Sequence, residues 1–308
     1  ATLETEALDD VLDPAAYELS VLVDGRRTDV GQLVLEERVT DQLSVMRASS
    51  SAFQSDLDSY QAVDDAMAAG RVTDGAEVVP AETVVLQVQA TGVFGALAEH
   101  GGSDPTVVDP LDALLASSVL ELSVVSTADS SNPVALDLSA SATAGAVRAF
   151  ADQEAGQLFV VFDSEAAVFA QNGDQTTVAP GDTFEAAFTV SGDGPLVDTD
   201  ESVADVFTFI EADGAFTTAE EETILVADAS NQAIAGATNV APGTTAEIMA
   251  QGGETAPFMK TVTVSVSPDG TFDALFDFSD ESPDTPFTVE FQSPILTFGQ
   301  DGLVVDEI

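Results

Sequence analysis

Between residues 237 and 278 the chain alternates apolar and polar residues in short runs bounded by turn formers, and no other stretch limits its fold so tightly. Pro242-Gly243 precedes one run, and Pro268-Asp269-Gly270 falls between two others. Period-two alternation puts every second side chain on one face of a sheet, while proline fixes φ and glycine accepts the positive φ that tight turns need. The spacing predicts β-hairpins.

Strand-like runs recur upstream. Tyr17 to Val23 alternates, Asp24-Gly25 is a two-residue hairpin signal, and residues 31–39 alternate again. Two strands alone do not hold in water, so this pair must join a larger sheet. Residues 55–69 have helix-forming composition and stop at Gly70, with a thin stripe of Leu57, Tyr60 and Met67 interrupted by Asp64. The run from Thr83 to Ala90 reads as a strand buried on at least one face, and residues 93–99 as a short helix. After a breaker-rich passage at Gly101-Gly102-Ser103-Asp104-Pro105 and Asp109-Pro110, strands are expected near 119–125, 135–139, 146–150, 158–162, 183–190 and 206–211, with an acidic loop at 198–205. That spacing is typical of a sandwich. The expected fold is therefore mainly β, with tandem immunoglobulin-like sandwiches and a small α+β N-terminal segment. The expected domains are 1–110, 111–211 and 212–308. Val178 to Glu185 and Val240 to Glu247 share V-A-P-G-x-T-x-E, so both sandwiches enter a strand through a Pro-Gly turn of type II.

Charge narrows the setting. Fifty-five acidic residues face seven basic ones, a formal charge of −48, yet mean hydropathy is positive at +0.18. Disorder requires low hydrophobicity as well as high charge, so this chain folds and carries an acidic surface. Screening in molar salt, where the Debye length is about 3 Å, relieves such self-repulsion. The usage, including Lys260 as the single lysine, resembles that of proteins from halophilic archaea, the rival reading being an acidic cation-binding protein. No basic patch exists to neutralise phosphates, which excludes nucleic acid as a direct partner. There is no cysteine, and no apolar run approaches the roughly 18 residues of a bilayer span. The first residues, Ala1-Thr2-Leu3, are those of a chain after cleavage of a leader, or of a fragment.

Around the central stretch, Asp269-Gly270-Thr271-Phe272 resembles the signature of the BGTF surface domain of halophilic archaea. Residues 236–244 (GATNVAPGT) resemble that domain's G-T-T-N-x-A-P-G-T, and residues 257–264 (PFMKTVTV) its P-F-x-K-T-x-T-V. The positions carrying the likeness are Asn239, Pro242, Gly243, Pro257, Phe258, Lys260, Asp269, Gly270, Thr271 and Phe272. Leu35-Glu36-Glu37-Arg38, Val93 to Leu97 and Pro180 to Phe184 are similar to modules that precede such domains in large haloarchaeal surface glycoproteins. The resemblance implies a secreted β-domain protein of the cell surface, often anchored through a C-terminal segment removed by archaeosortase. That segment is not recognisable at Val304 to Ile308. None of the four asparagines, 132, 172, 231 and 239, stands in a glycosylation sequon.

Catalytic signatures are missing. His100, the single histidine, sits beside Gly101-Gly102 with no G-x-S-x-G turn anywhere, and reads as a solvated loop residue. Acidic pairs occur by number alone, and a sugar cleft would want tryptophan, which the chain lacks. Cofactors are expected to be none. Asp198 to Glu201 and Asp277 to Glu281 offer oxygen ligands for structural calcium or another hard cation, but no EF-hand spacing. The phenylalanines at 258, 272, 276, 278, 287 and 291 read as core, and Lys260 as the partner of a carboxylate. The expected function is that of a non-catalytic structural protein of the haloarchaeal cell exterior, extracellular and working as a homo-oligomer or with other surface proteins, in a filament or S-layer. The alternative is a surface adhesin recognising glycans or other cells. Residues 1–40 resemble the last strands of an incomplete sandwich, and head-to-tail completion by residues 287–291 or 296–305 of a neighbour would build a fibre; the other reading is a hairpin packed on the helical segment of its own domain.

Overall fold

The computed structural model describes residues 13–23, 25–100, 109–128, 131–218 and 223–306. Two compact units divide the chain, 1–39 and 40–308. In the first, β1 (Ala16–Val23) and β2 (Arg26–Val34) pair antiparallel. Gly25, at φ +73°, supplies the left-handed residue that the tight turn requires, while Asp24 lies outside the described residues. Since Val23 pairs with Arg26 across this turn, the second strand begins at Arg26 and not at the expected Gly31. Leu19, Val21, Leu22, Val23, Val30, Leu33 and Val34 are all exposed on it.

The second unit opens with β3 (Thr40–Ala48), α1 (Ala52–Ser55), α2 (Tyr60–Ala68), β4 (Val72–Asp74), β5 (Glu77–Val78), β6 (Thr83–Ala90), α3 (Phe94–His100) and α4 (Pro110–Ala116). Next come β7 (Leu120–Ser126), β8 (Ala135–Leu136), α5 (Leu138–Thr143), β9 (Val147–Asp152), β10 (Gln157–Asp163), β11 (Phe169–Gln171), β12 (Asp174–Thr176), β13 (Thr183–Val190) and β14 (Glu201–Phe209). They form a five-stranded sheet, β4-β3-β6-β10-β9, and a seven-stranded sheet, β12-β11-β8-β7-β13-β14-β5.

The layering follows from β6, which is buried at nearly every position and so has both faces covered. Its Val84, Leu86 and Val88 enter a core shared with Leu122, Phe184, Phe188 and Phe207 of the larger sheet. Its Val85 enters a different core with Phe53, Leu57 and Val63 from the helical segment. Strand β10 does the same, with Val160 and Phe162 on one side and Phe159 and Val161 on the other. The five-stranded sheet is thus the middle of three layers, between α1 and α2 on one side and the seven-stranded sheet on the other. The domain boundary expected at 110 is corrected by this arrangement, because strands from 40–90 and from 147–163 share one sheet.

Smaller differences have local causes. The helix expected at 55–69 starts only at Tyr60, where the Ser59 hydroxyl accepts the Ala62 N–H. The strand expected at 135–139 ends at Leu136, because Asp137 caps α5 by accepting the Ala140 N–H. The acidic loop expected at 198–205 is strand from Glu201 onwards. There the Glu201 carboxylate accepts the Thr40 hydroxyl at 3.0 Å, and Asp205 accepts the Val45 N–H at 2.8 Å. His100, expected in a loop, is the last residue of α3.

From residue 212 a separate core begins. Here β15 (Gly214–Phe216), β16 (Ile224–Ala227), β17 (Gln232–Thr238), β18 (Thr245–Gly252), β19 (Met259–Ser265), β20 (Thr271–Phe276), β21 (Pro286–Gln292) and β22 (Thr297–Val305) make two facing sheets, β15-β17-β20 and β16-β22-β21-β18-β19. The core between them holds Phe272, Phe276, Phe278, Phe287 and Phe291, as the alternation predicts. The hairpin expectation is corrected in part. Only β18 and β19 form a sequential antiparallel pair in the stretch, whereas Pro242-Gly243 and Pro268-Asp269-Gly270 each carry the chain from one sheet to the other. Strand β21 is paired on two sides, and β22 is paired with β21 and, at Gly302–Val305, with β16, so both are built into their own sheet, which runs against the expectation that residues 287–291 or 296–305 are donated to a neighbour. The protein is mainly β and built from sandwiches, as expected.

Candidate functional site

Three turns of one design open the three strands β6, β13 and β18: Val79-Pro80-Ala81-Glu82, Ala179-Pro180-Gly181-Asp182 and Ala241-Pro242-Gly243-Thr244. In each, proline precedes a residue of positive φ, at +77° for Ala81, +99° for Gly181 and +81° for Gly243. In each, the fourth N–H donates to the first carbonyl, at 3.0, 3.1 and 3.2 Å respectively. The pattern of sequence makes two of these turns visible. The third, at 79–82, escapes it because alanine replaces glycine.

The turns differ in how the first N–H is satisfied. In the turn at 179–182, the Asp182 carboxylate accepts the Ala179 N–H at 2.8 Å, so the turn is capped by its own fourth residue. In the turn at 79–82, Glu82 does likewise, accepting the Val79 N–H on Oε2 at 2.9 Å. The turn at 241–244 has threonine in that place, and the Thr244 hydroxyl donates to the Ala241 carbonyl at 2.6 Å. The Ala241 N–H is instead accepted by Oε1 of Glu82, at 2.5 Å, from the other sandwich. One carboxylate thus caps two turns, one on each side of a joint.

Glu82 is wholly buried. Burial pushes its carboxyl up to about 7, against the pull of the Arg47 charge and of the Val79 and Ala241 N–H groups. Arg47, on β3, lies 3.4 Å from Oε2 and donates from the same Nη1 to the Asn239 carbonyl at 2.7 Å. Asn239 then secures the connection between the sandwiches. Its amide donates to the Glu211 carbonyl, and its Oδ1 accepts the Asp213 N–H, both at 2.8 Å. Thr238 adds a bond from its hydroxyl to the Asp213 carbonyl. Two glycines let the backbones close together. A Cβ on Gly70 would stand 2.9 Å from Pro268, and one on Gly243 would meet the Arg71 side chain at 3.5 Å.

Of the residues carrying the sequence resemblance, Asn239, Pro242 and Gly243 lie in this joint. The others do not. Pro257 is exposed, and Phe258 packs on Phe278 and Phe287. Lys260 pairs with Glu281 at 3.0 Å and lies 5.4 Å and 5.7 Å from the Phe258 and Phe278 rings. Its carboxylate partner is therefore within its own sandwich. Asp269 accepts the hydroxyl and N–H of Thr271, which hold its carboxyl below the usual range. Gly270, at φ +79°, accepts the Thr238 N–H and delivers Phe272 into the core.

Among the described residues no group of three or more histidine or carboxylate side chains is placed to hold a metal ion, and no helix is long and apolar enough to cross a membrane. The two acidic stretches considered for cations are engaged otherwise: Asp200 accepts the Gly192 N–H, Asp277 accepts the Ser279 hydroxyl and N–H, and Glu281 holds Lys260.

No family model matches the chain. It is 32% identical over 288 residues to a cell surface glycoprotein of Haloferax gibbonsii, a match covering 91% of this chain and 32% of that protein. It is 30% identical over 304 residues to cell surface glycoprotein 2 of Haloarcula hispanica, covering 92% and 32%. The chain spans about a third of the length of these curated relatives. Among solved structures, it is similar to a tetra-tandem repeat from the extending region of a large adhesion protein at TM-score 0.26 and 12% identity, covering 90% of this chain and 52% of that one. It is similar to a stretch of titin domains at TM-score 0.27 and 10% identity, covering 94% and 73%. The sequence relatives with which this chain aligns over nine-tenths of its length are thus haloarchaeal proteins named for the cell surface.

Proposed function

We propose that this chain is a non-catalytic structural segment of the haloarchaeal cell exterior, with a BGTF-type domain at residues 212–308, and that it works as a subunit of a surface filament or S-layer-like assembly. The names of its relatives, the acidic surface and the motif from Asn239 to Phe272 support the location. One observation carries the assembly. The β1–β2 hairpin exposes seven large apolar side chains and, among the described residues, two strand edges without a partner strand, a surface that a two-stranded ribbon does not sustain alone in water. Addition of this hairpin to a sheet edge of the next subunit, head to tail, covers it. The contact is heterologous, so it propagates.

Electron microscopy of the purified protein in molar salt tests the reading. Filaments or sheets are expected, and they are expected to disappear when Leu19→Asp and Val21→Asp are introduced together. Monodisperse particles for the unaltered chain across micromolar concentrations, or assemblies indifferent to the double variant, overturn it.

A further inference from the structure

We propose that Glu82 is a shared latch: the cap it lends to the turn at 241–244 fixes the orientation of the C-terminal sandwich on the body that precedes it. The comparison of the three turns carries this. Each has a first N–H needing an acceptor, and two obtain it from an acidic fourth residue. The turn at 241–244 has no such residue, and its Thr244 hydroxyl is already committed to the Ala241 carbonyl. Ala241 is wholly buried, so water does not serve its N–H either. The turn is completed only when the other sandwich brings Glu82 to it. Docking and turn formation are therefore one event.

Arg47 makes the latch directional. It is the charged group facing Glu82, and the nitrogen that approaches Oε2 also holds the Asn239 carbonyl, two residues before Ala241. A rotation of the C-terminal sandwich that breaks the Glu82 to Ala241 bond therefore also strains the bond from Arg47 to Asn239. Asn239 in turn grips residues 211 and 213 of the connection, so the connection is tied to the turn that Glu82 completes. Without the cap, the bond from Arg47 to Asn239 and the packing at Gly70 against Pro268 and at Gly243 against Arg71 are left across the joint.

The sequence suggests its own test. Thr244→Asp gives the third turn the carboxylate its sister has at Asp182, so the Ala241 N–H is capped from within and Glu82 is displaced by a second negative charge. The chain has no cysteine, so spin labels at Glu121→Cys and Glu254→Cys, both exposed, report the separation of the two bodies in the full chain in molar salt. The unaltered joint is expected to give one narrow distance distribution. Thr244→Asp, alone and combined with Glu82→Ala, is expected to broaden it at least twofold while far-ultraviolet circular dichroism stays native. A distribution as narrow as the parent's in Thr244→Asp overturns the proposal. So does a narrow distribution in the double variant. Should Glu82→Ala prevent folding, the single Thr244→Asp variant decides.

Discussion

A carboxylate with no exposure, two backbone donors and one guanidinium is a group whose protonation should be visible in the stability of the whole chain. The Glu82 carboxyl is raised from 4.5 to about 7 in the folded state. The native protein therefore holds this proton more tightly than the unfolded chain does. The sign follows: the group's contribution is fully present below pH 4.5, falls as pH rises through 7, and is gone above it, a swing of about 3 kcal/mol. Denaturant unfolding of the parent and of Glu82→Gln in molar salt, from pH 4.5 to 8.5, isolates that contribution from the other carboxylates, because only the difference between the two is read. The difference is expected to change across that window by about that amount, and a flat difference rejects the assignment. Lys260 offers a second residue-scale measurement. Lys260→Met removes a half-buried ion pair and two ring contacts and should cost about 1–2 kcal/mol, with Glu281 left without its cation. At this scale the sequence was legible where a residue type is dictated by backbone shape, as for Gly243 and Gly270 at positive φ. It was illegible where the role depends on what approaches from elsewhere. Nothing local distinguishes Glu82 from the other acidic residues of the chain, and the one available sign, a V-x-P-x-E-T that echoes V-A-P-G-D-T, was masked by Ala81.

Elements show why the domain boundary was misplaced. In β6 the apolar run is continuous, and a continuous run does not say whether one face or two are covered. Tertiary packing answers it: Val85 faces the helical segment and Leu86 faces the seven-stranded sheet, both without exposure. Val85→Ala and Leu86→Ala are each expected to lower the unfolding free energy, by about 2–4 kcal/mol. In an independent 1–110 domain the face of the strand turned to the seven-stranded sheet would be dispensable, so a loss at Val85 with Leu86→Ala neutral would restore that division. The alternating strands β13 and β20 were readable because one face of each meets a single core. The turns at Pro242-Gly243 and Pro268 to Gly270 were recognised as turns for the right chemical reason. Their destination was not, since a type II turn can close a hairpin or hand the chain to the opposite sheet with the same residues.

For the molecule as a whole, the question is which part yields first when its charge is unscreened. Residues 212–308 carry seventeen acidic residues against one lysine, and residues 40–211 carry twenty-eight against three arginines. Two strongly negative bodies meet at a joint crossed by the bond from Ala241 to Glu82, the bond from Arg47 to Asn239 and the close approach of Gly70 to Pro268 and of Gly243 to Arg71. Each body, by contrast, is held by a buried aromatic core, with Phe184, Phe207 and Phe209 in one and Phe272, Phe278 and Phe291 in the other. Lowering salt from about 2 M to about 0.1 M lengthens the reach of repulsion from less than about 3 Å to about 10 Å, enough to act between the bodies without entering either core. Burial of apolar side chains is only indirectly sensitive to this change. The joint should therefore open at a higher salt concentration than that at which the sandwiches unfold. Distance distributions between labels at positions 121 and 254, taken alongside far-ultraviolet circular dichroism during dilution of salt, resolve the two events. The expected order is broadening first and loss of β signal later, with the gap between them widened by Glu82→Ala. Simultaneous loss of both signals at every salt concentration would mean that the two sandwiches share their stability, and that the latch at Glu82 is not the weakest contact between them.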